Sequence, residues 1–453
     1  MKAKLFLAFT GLALLLAAQV RIDIIGGTQP VLAVPDFRGA AESAPFANAF
    51  NETLYRDLQD SGLFQMAAKS MYPLETPQQP QDFREPLPPV ASKKKGEPPQ
   101  PVRRGPWLTD WSEPPVAASH LAFGYLSAQG GSMVLSGWLY DVKQANLTSA
   151  HLFGKRYLAA ISEDGARQMA HEFAADIIRQ FGGTPLFGSK IYFISNRTGS
   201  DEIWSMDSDG SNQKQFTTYK SLTITPAVSP DGRFIAFTTY AGGNPAIVVH
   251  SLETGRRLPF YNQVASMNAT PDFSPDGERI YFSSTASGYA QIYSARRDGS
   301  DLRRLSDFRA VEVSPKISPK GGEVVFVSGR SGPAQIYRMN LDGANVERLT
   351  SGEGEASNPA WHPNGQVIAF SWSRGFEPGN FNVFIMDVTS RQFNQLTHGA
   401  GRNENPVWAP DGRHIVFASN RSGRSQVWTM LADGTDLRQL TTQGNNRMPV
   451  WGK

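Results

Sequence analysis

Pro406–Leu440 reads PVWAPDGRHIVFASNRSGRSQVWTMLADGTDLRQL, and its turn Asp411-Gly412 returns along the chain. The matching turns are Asp231-Gly232, Asp276-Gly277, Lys320-Gly321 and Asn364-Gly365. From Gly232 to Gly412 their glycines are separated by 45, 44, 44 and 47 residues, and Gly188 lies a further 44 upstream. Within the unit, Pro406-Val407-Trp408, His414–Ala418, Gln426–Met430 and Leu437–Leu440 read as four short strands. Asp411-Gly412 and Asp433-Gly434 are tight turns in which glycine supplies a positive φ without strain. The same grammar reads in Arg279–Ser283, Gln291–Ala295 and Leu302–Leu305. An amphipathic helix is the alternative for any single run, and period-2 patterning between turn glycines argues against it. A period in the forties built from four strands predicts a six-bladed β-propeller.

The ring is expected to close on itself. The unit opening at Gly188 lacks a P-x-W strand, whereas Met448-Pro449-Val450-Trp451 is a first strand with no blade after it. The terminal segment is therefore expected to supply the innermost strand of the first blade, which removes an open sheet edge.

At 453 residues the chain can bury two sizeable cores. Lys and Arg total 44 against 41 Asp and Glu, so no strong positive field points to nucleic acid. The absence of cysteine excludes disulfides, a thiolate nucleophile and Cys-ligated metal. Lys2 and Lys4 precede the apolar run Leu5–Leu16 and then Ala17-Ala18. That pattern predicts a secretory signal peptide over 1–18, cleaved near Ala18, and an exported mature chain.

Residues 19–183 are expected to form an α/β domain, and 184–453 the propeller. Gln19–Ile25 and Val31–Val34 read as strands, and Ser43 as the N-cap of a helix carrying Phe46, Phe50, Leu54 and Leu58 on one face. Phe64–Ala67, Ser119–Tyr125, Met133–Asp141 and Ser149–Leu158 read as further strands. Ser162 is expected to cap a second helix with Met169, Phe173, Ile177 and Phe181 on one face, ended by Gly182-Gly183. Between them, Tyr72–Trp107 is Pro-rich, carries Lys93-Lys94-Lys95, and lacks apolar periodicity, so it reads as a disordered insertion.

Catalytic patterns are missing: there is no G-x-S-x-G, H-E-x-x-H, P-loop or G-x-G-x-x-G. The seven histidines are scattered. No cofactor or metal is expected, and the chain reads as a binding protein. Polar residues gather instead before each inner strand, on loops opening on one face around the channel mouth. These expected partner-binding residues are Met267 and Asn268, then Glu312, Ser357 and Asn358. Arg402, Asn403, Glu404, Asn405, Asn446 and Arg447 complete the set. The second-to-third-strand loops reach the same face and repeat an arginine at Arg197, Arg330, Arg374 and Arg421, which also suits packing or ion pairing between blades.

The start Q-V-R-I-D-I, the α/β domain and six S-P-D-G-type blades ending in P-V-W resemble the TolB family, the periplasmic component of the bacterial Tol-Pal system. The resemblance spans the chain, and domain order is its more specific part. It implies a monomeric periplasmic adaptor and not an enzyme. A Pal-type peptidoglycan-associated lipoprotein would dock on the propeller face. A TolA-type inner-membrane protein would bind the N-terminal segment Gln19, Val20, Arg21, Ile22, Asp23 and Ile24. The insertion and the stretched fifth-blade loop Ser373–Asn380 depart from the family pattern. The competing reading is a periplasmic lactonase or hydrolase with carboxylate, Asn or His side chains converging in the channel.

Overall fold

The computed structural model describes residues 29–84, 87–90, 100–102 and 105–452. The expected signal peptide 1–18 and the segment Gln19–Ile24 lie outside them. The N-terminal part runs β1 (Val31–Ala33), β2 (Arg38–Gly39), α1 (Ala47–Asp60), β3 (Gln65–Met66), β4 (Leu87–Val90) and β5 (Gln100–Val102). It continues with β6 (His120–Gln129), β7 (Ser132–Asp141), α2 (Leu147–Ala150), β8 (His151–Ala160) and α3 (Glu163–Gln180). The mixed sheet has the order β3-β1-β6-β7-β8, with β2 beside β6. The short β1–β3, β1–β6 and β2–β6 pairings are parallel, and the long β6–β7–β8 meander is antiparallel.

Both faces of this sheet are covered. Phe50, Leu54 and Leu58 of α1 and Met169, Phe173 and Ile177 of α3 share one core with Leu126 and Leu135 of the meander. Ser162 caps α3 as expected, its hydroxyl accepting from the Gly165 amide at 3.1 Å. Ser43 does not cap α1: a 3-10 turn, Ala44–Phe46, intervenes, and the buried hydroxyl donates to the Ala40 and Leu126 carbonyls instead.

The opposite face corrects the reading of Tyr72–Trp107 as wholly unpacked. Phe83 is buried edge-on against Phe123, with ring centroids 5.5 Å apart, and Tyr72 lies against Trp111. The Tyr72 hydroxyl accepts from the Val34 amide and donates to the Ala67 carbonyl. Single aromatics can fill a sheet face without any periodic pattern, so a periodicity test passes over them.

Six four-stranded sheets follow, and the chain ends as expected. Asn446–Gly452 pairs antiparallel with Lys190–Ser195 and completes the first blade. Trp451 fills the seam there, its indole N–H donating to the Ser189 hydroxyl at 2.9 Å. Each blade buries its second strand along nearly its whole length, as in Phe234–Thr239 and His414–Ser419. The outermost strands are only two or three residues long, and five of the six carry Lys or Arg, for example Lys214, Arg257 and Arg438. Short cationic edges deter pairing with other chains.

The two parts meet at the bottom of the sixth blade. Arg413 donates to the carbonyls of Ser61 and Gly62, just past the end of α1. His414 Nε2 lies 2.7 Å from the Asp60 carbonyl oxygen, and Arg438 pairs with the Asp60 carboxylate. Cationic groups from the propeller thus sit where the helix dipole is negative and its last carbonyls lack partners.

Candidate functional site

All six inner strands share one irregularity. Their third residue is Thr225, Thr270, Ser314, Asn358, Asn405 or Met448, each with φ between 48° and 55°. A proline follows every one of them, and the pairing register slips at the same place in every blade. Left-handed backbone in a non-glycine residue is costly, on the order of 1 kcal/mol, and persists where surroundings over-determine it. Here neighbouring blades hold it. The Thr270 amide donates to Thr238 Oγ1 at 3.1 Å, the Ser314 amide to Thr270 Oγ1 at 3.2 Å, and the Asn405 amide to Ser371 Oγ at 3.1 Å. The bulges re-aim the top of each inner strand toward the channel mouth.

Around this scaffold the mouth is not six-fold in its chemistry. At blades five, six and one it opens into a cleft of about 600 Å³. Five of the residues expected from the sequence line it: Asn358, Arg402, Glu404, Asn405 and Arg447. Arg402 pairs with Glu404 at 2.8 Å, and Arg447 pairs with Asp201. The sequence reading missed Asn420, Arg424 and Ser425 on the sixth blade's second-to-third-strand loop, where only Arg421 stood out by repetition. Over blades two to four the same face carries large apolar side chains among its polar ones. Leu222, Val264, Tyr289, Phe308 and Val311 are exposed there, Val264 at 93% and Val311 at 57%. The second residues of the inner strands follow the same division: Ile224, Ala269 and Val313 on one side, Ser357, Glu404 and Arg447 on the other.

Four expected contact residues are corrected. Asn268, Glu312, Asn403 and Asn446, the first residues of their inner strands, are buried and spend their polar groups on internal contacts, some within a blade and some between blades. Asn446 Nδ2 donates to Gln426 Oε1 at 2.7 Å, in the neighbouring blade, and Asn403 Oδ1 accepts from Arg421 at 2.6 Å. Glu312 takes Arg330, and Asn268 donates to the Gln263 carbonyl. A polar residue at a strand's start looks like loop surface, but the pleat aims it into the blade. Met267 and Ser357 are half-buried at the rim; the Ser357 hydroxyl donates to Asn358 Oδ1 at 3.0 Å.

The repeated arginines act within blades, not between them. Arg197 and Arg421 lie over Trp204 and Trp428, 4.4 and 5.0 Å from the ring centroids, and Arg374 lies over Trp372. Burial lowers the Arg197 and Arg421 guanidinium pKa values from their ordinary value. Among the described residues, no group of three or more His, Asp or Glu side chains is placed to hold a metal ion.

The family model for the TolB beta propeller domain matches residues 179–375 and 350–453. The chain belongs to the TolB family. A TolB homolog of Chlorobium chlorochromatii is 42% identical over 142 residues, 31% of each chain. The Tol-Pal system protein TolB of Paramagnetospirillum magneticum is 31% identical over 258 residues, covering 54% of this chain and 51% of its own. The matched segments thus span about a third to a half of these curated relatives. The crystal structure of TolB from Acinetobacter baumannii superposes with a TM-score of 0.71. It covers 94% of this chain and 97% of its own at 22% identity, which shows a shared fold.

Proposed function

We propose that this TolB chain is a periplasmic adaptor of the Tol-Pal system, with no catalytic step of its own. It docks a Pal-type outer-membrane lipoprotein on the channel-mouth face of the propeller. It reaches a TolA-type inner-membrane protein through Gln19–Ile24, so that outer-membrane integrity and constriction at division depend on both contacts. The observation supporting this is the division of the mouth face into an apolar crescent over blades two to four and a polar cleft over blades five, six and one. Protein interfaces combine apolar anchors with a polar rim, whereas a small-molecule site is a deep, mostly apolar pocket. The cleft is broad and lined mostly by polar and charged side chains. Among the described residues no helix is long and apolar enough to cross a membrane, which suits a protein held at a membrane by its partners.

Capture of partners from periplasmic and outer-membrane extract tests the reading, using the chain with and without Gln19–Gly26. A Pal-type lipoprotein recovered by both forms, with a TolA-type protein lost on truncation, supports two separate contacts. Recovery of neither overturns it, and hydrolase activity in the channel then becomes the reading to pursue.

A further inference from the structure

The N-terminal sheet ends on a long strand that is paired on one side. β8 runs along β7 from Ser132↔Ala160 to Tyr140↔His151 and is the last strand of its sheet. In an antiparallel ladder every second residue turns its N–H and C=O away from the neighbour. Apart from the Ala160 carbonyl, which accepts from the Ser162 amide, no backbone group outside that ladder bonds to the β8 backbone among the described residues. The propeller keeps its outermost strands to two or three residues, whereas β8 has ten. A long open edge is a template for a further strand.

The side chains of β8 say which strand fits. On the α3 side the charges are matched: Asp176 accepts from Lys155 at 2.6 Å and from the Tyr157 hydroxyl at 2.8 Å, and it also pairs with Arg179. The opposite face presents Gly154, Arg156 and Leu158 at every second position. Leu158 is 62% exposed. Arg156 is exposed too, and the group it bonds is the neutral Gln129 Oε1, at 2.6 Å. Gly154 stands opposite Trp138, whose indole lies where a side chain would go: a Cβ on the glycine would come within 2.4 Å of the ring. The edge therefore offers an aromatic ring, an arginine without a carboxylate and a bare leucine, in that order.

We propose that the open edge of β8 is a strand-addition site for an extended segment of a partner protein, in which a carboxylate is flanked two residues away on each side by apolar side chains. The segment's backbone extends the sheet, its carboxylate meets Arg156, and its apolar side chains meet Leu158 and the Trp138 indole. The motif reads alike in both directions, so it suits parallel or antiparallel pairing. The site lies on the N-terminal domain, apart from the mouth face of the propeller. A second copy of this chain fits poorly. Two-fold pairing along the whole of β8 sets Lys155 against Arg156 of the other copy, and like charges directly opposite destabilise a sheet.

Titration of the protein with the capped peptides TVTETVT and TVTKTVT, read by affinity and by hydrogen exchange over residues 151–160, tests the site. TVTETVT is expected to bind at least about tenfold tighter than TVTKTVT and to slow exchange of the β8 amides that point away from β7. Arg156→Glu, at an exposed position, is expected to reverse the preference between the two peptides. No binding of TVTETVT at up to about 1 mM, equal affinity for both peptides, or protection that falls elsewhere overturns the proposal, and these comparisons use the wild-type protein alone. An unchanged preference in Arg156→Glu overturns it as well. A dimer formed without peptide, with the β8 amides already protected, assigns the edge to a second copy and overturns it too.

Discussion

Arg330 donates from Nε and Nη2 to a single oxygen of Glu312, whose side chain is wholly buried at the head of the fourth blade's inner strand. The Ser328 hydroxyl donates to the same oxygen at 3.0 Å, and the guanidinium stacks 4.7 Å from the Phe308 ring centroid. One ion pair therefore locks the inner strand, the adjoining strand and an exposed aromatic of the mouth face. Arg330→Ala strands a buried carboxylate and is expected to destabilise the protein by about 3–5 kcal/mol. Glu312→Gln, which keeps an acceptor, is expected to cost less. Urea unfolding of both variants checks the order.

Closure of the ring by Asn446–Gly452 makes the terminus a structural member. Removing residues 446–453 is expected to lower the thermal midpoint of the whole propeller and to expose Lys190–Ser195 to hydrogen exchange. Trp451→Ala removes a buried indole and is expected to cost about 3–5 kcal/mol. Loss of protection confined to the last few residues would mean the ring does not depend on this strand.

Asn358 sits at φ 51° in the fifth blade's bulge. Asn358→Gly is expected to be neutral or stabilising by up to about 1 kcal/mol, and Asn358→Val destabilising by about 1–2 kcal/mol, because a β-branched residue resists this backbone. Denaturant midpoints distinguish the two.

His171 bonds to Asp57 at 2.6 Å, tying α3 to α1. Burial alone would lower its pKa, and the hydrogen bond and charge of Asp57 outweigh burial and raise it. The folded value thus exceeds the unfolded one of about 6.5. Its stabilisation is complete below about pH 6.5 and is lost as pH rises through the folded value. The difference in melting temperature between wild type and His171→Gln is expected to be largest near pH 6 and to shrink by about pH 9. His120, His250 and His362 are lowered chiefly by burial and act in the opposite sense, so the difference, not the wild-type curve alone, carries the test.

The repeat was legible because each blade needs a positive-φ turn, and Gly232, Gly277, Gly321, Gly365 and Gly412 all have φ between 65° and 72°. Ring closure was legible because the unpaired P-V-W matched a vacant first strand. The make-up of the mouth face was half legible. Asn358, Arg402, Glu404, Asn405 and Arg447 reach the cleft, but Asn403 and Asn446 carry the same local pattern and turn inward. What separates them is partner placement: Asn446 meets Arg197, 249 positions away, at 3.3 Å. The apolar crescent escaped notice because Val264, Tyr289 and the pair Phe308 and Val311 come from three different loops, and singly each is an ordinary surface residue.

The central claim is that the mouth face, with its two chemically different halves, docks the lipoprotein. Calorimetric titration with the soluble domain of a Pal-type lipoprotein tests it most directly, comparing wild type with Val311→Asp, with Arg424→Glu and with Ser390→Asp on a turn at the opposite end of the blades. Each mouth-face substitution is expected to weaken binding at least about tenfold, about 1.4 kcal/mol, and Ser390→Asp to leave it unchanged. No binding by wild type, or equal affinity in all four proteins, would contradict the account.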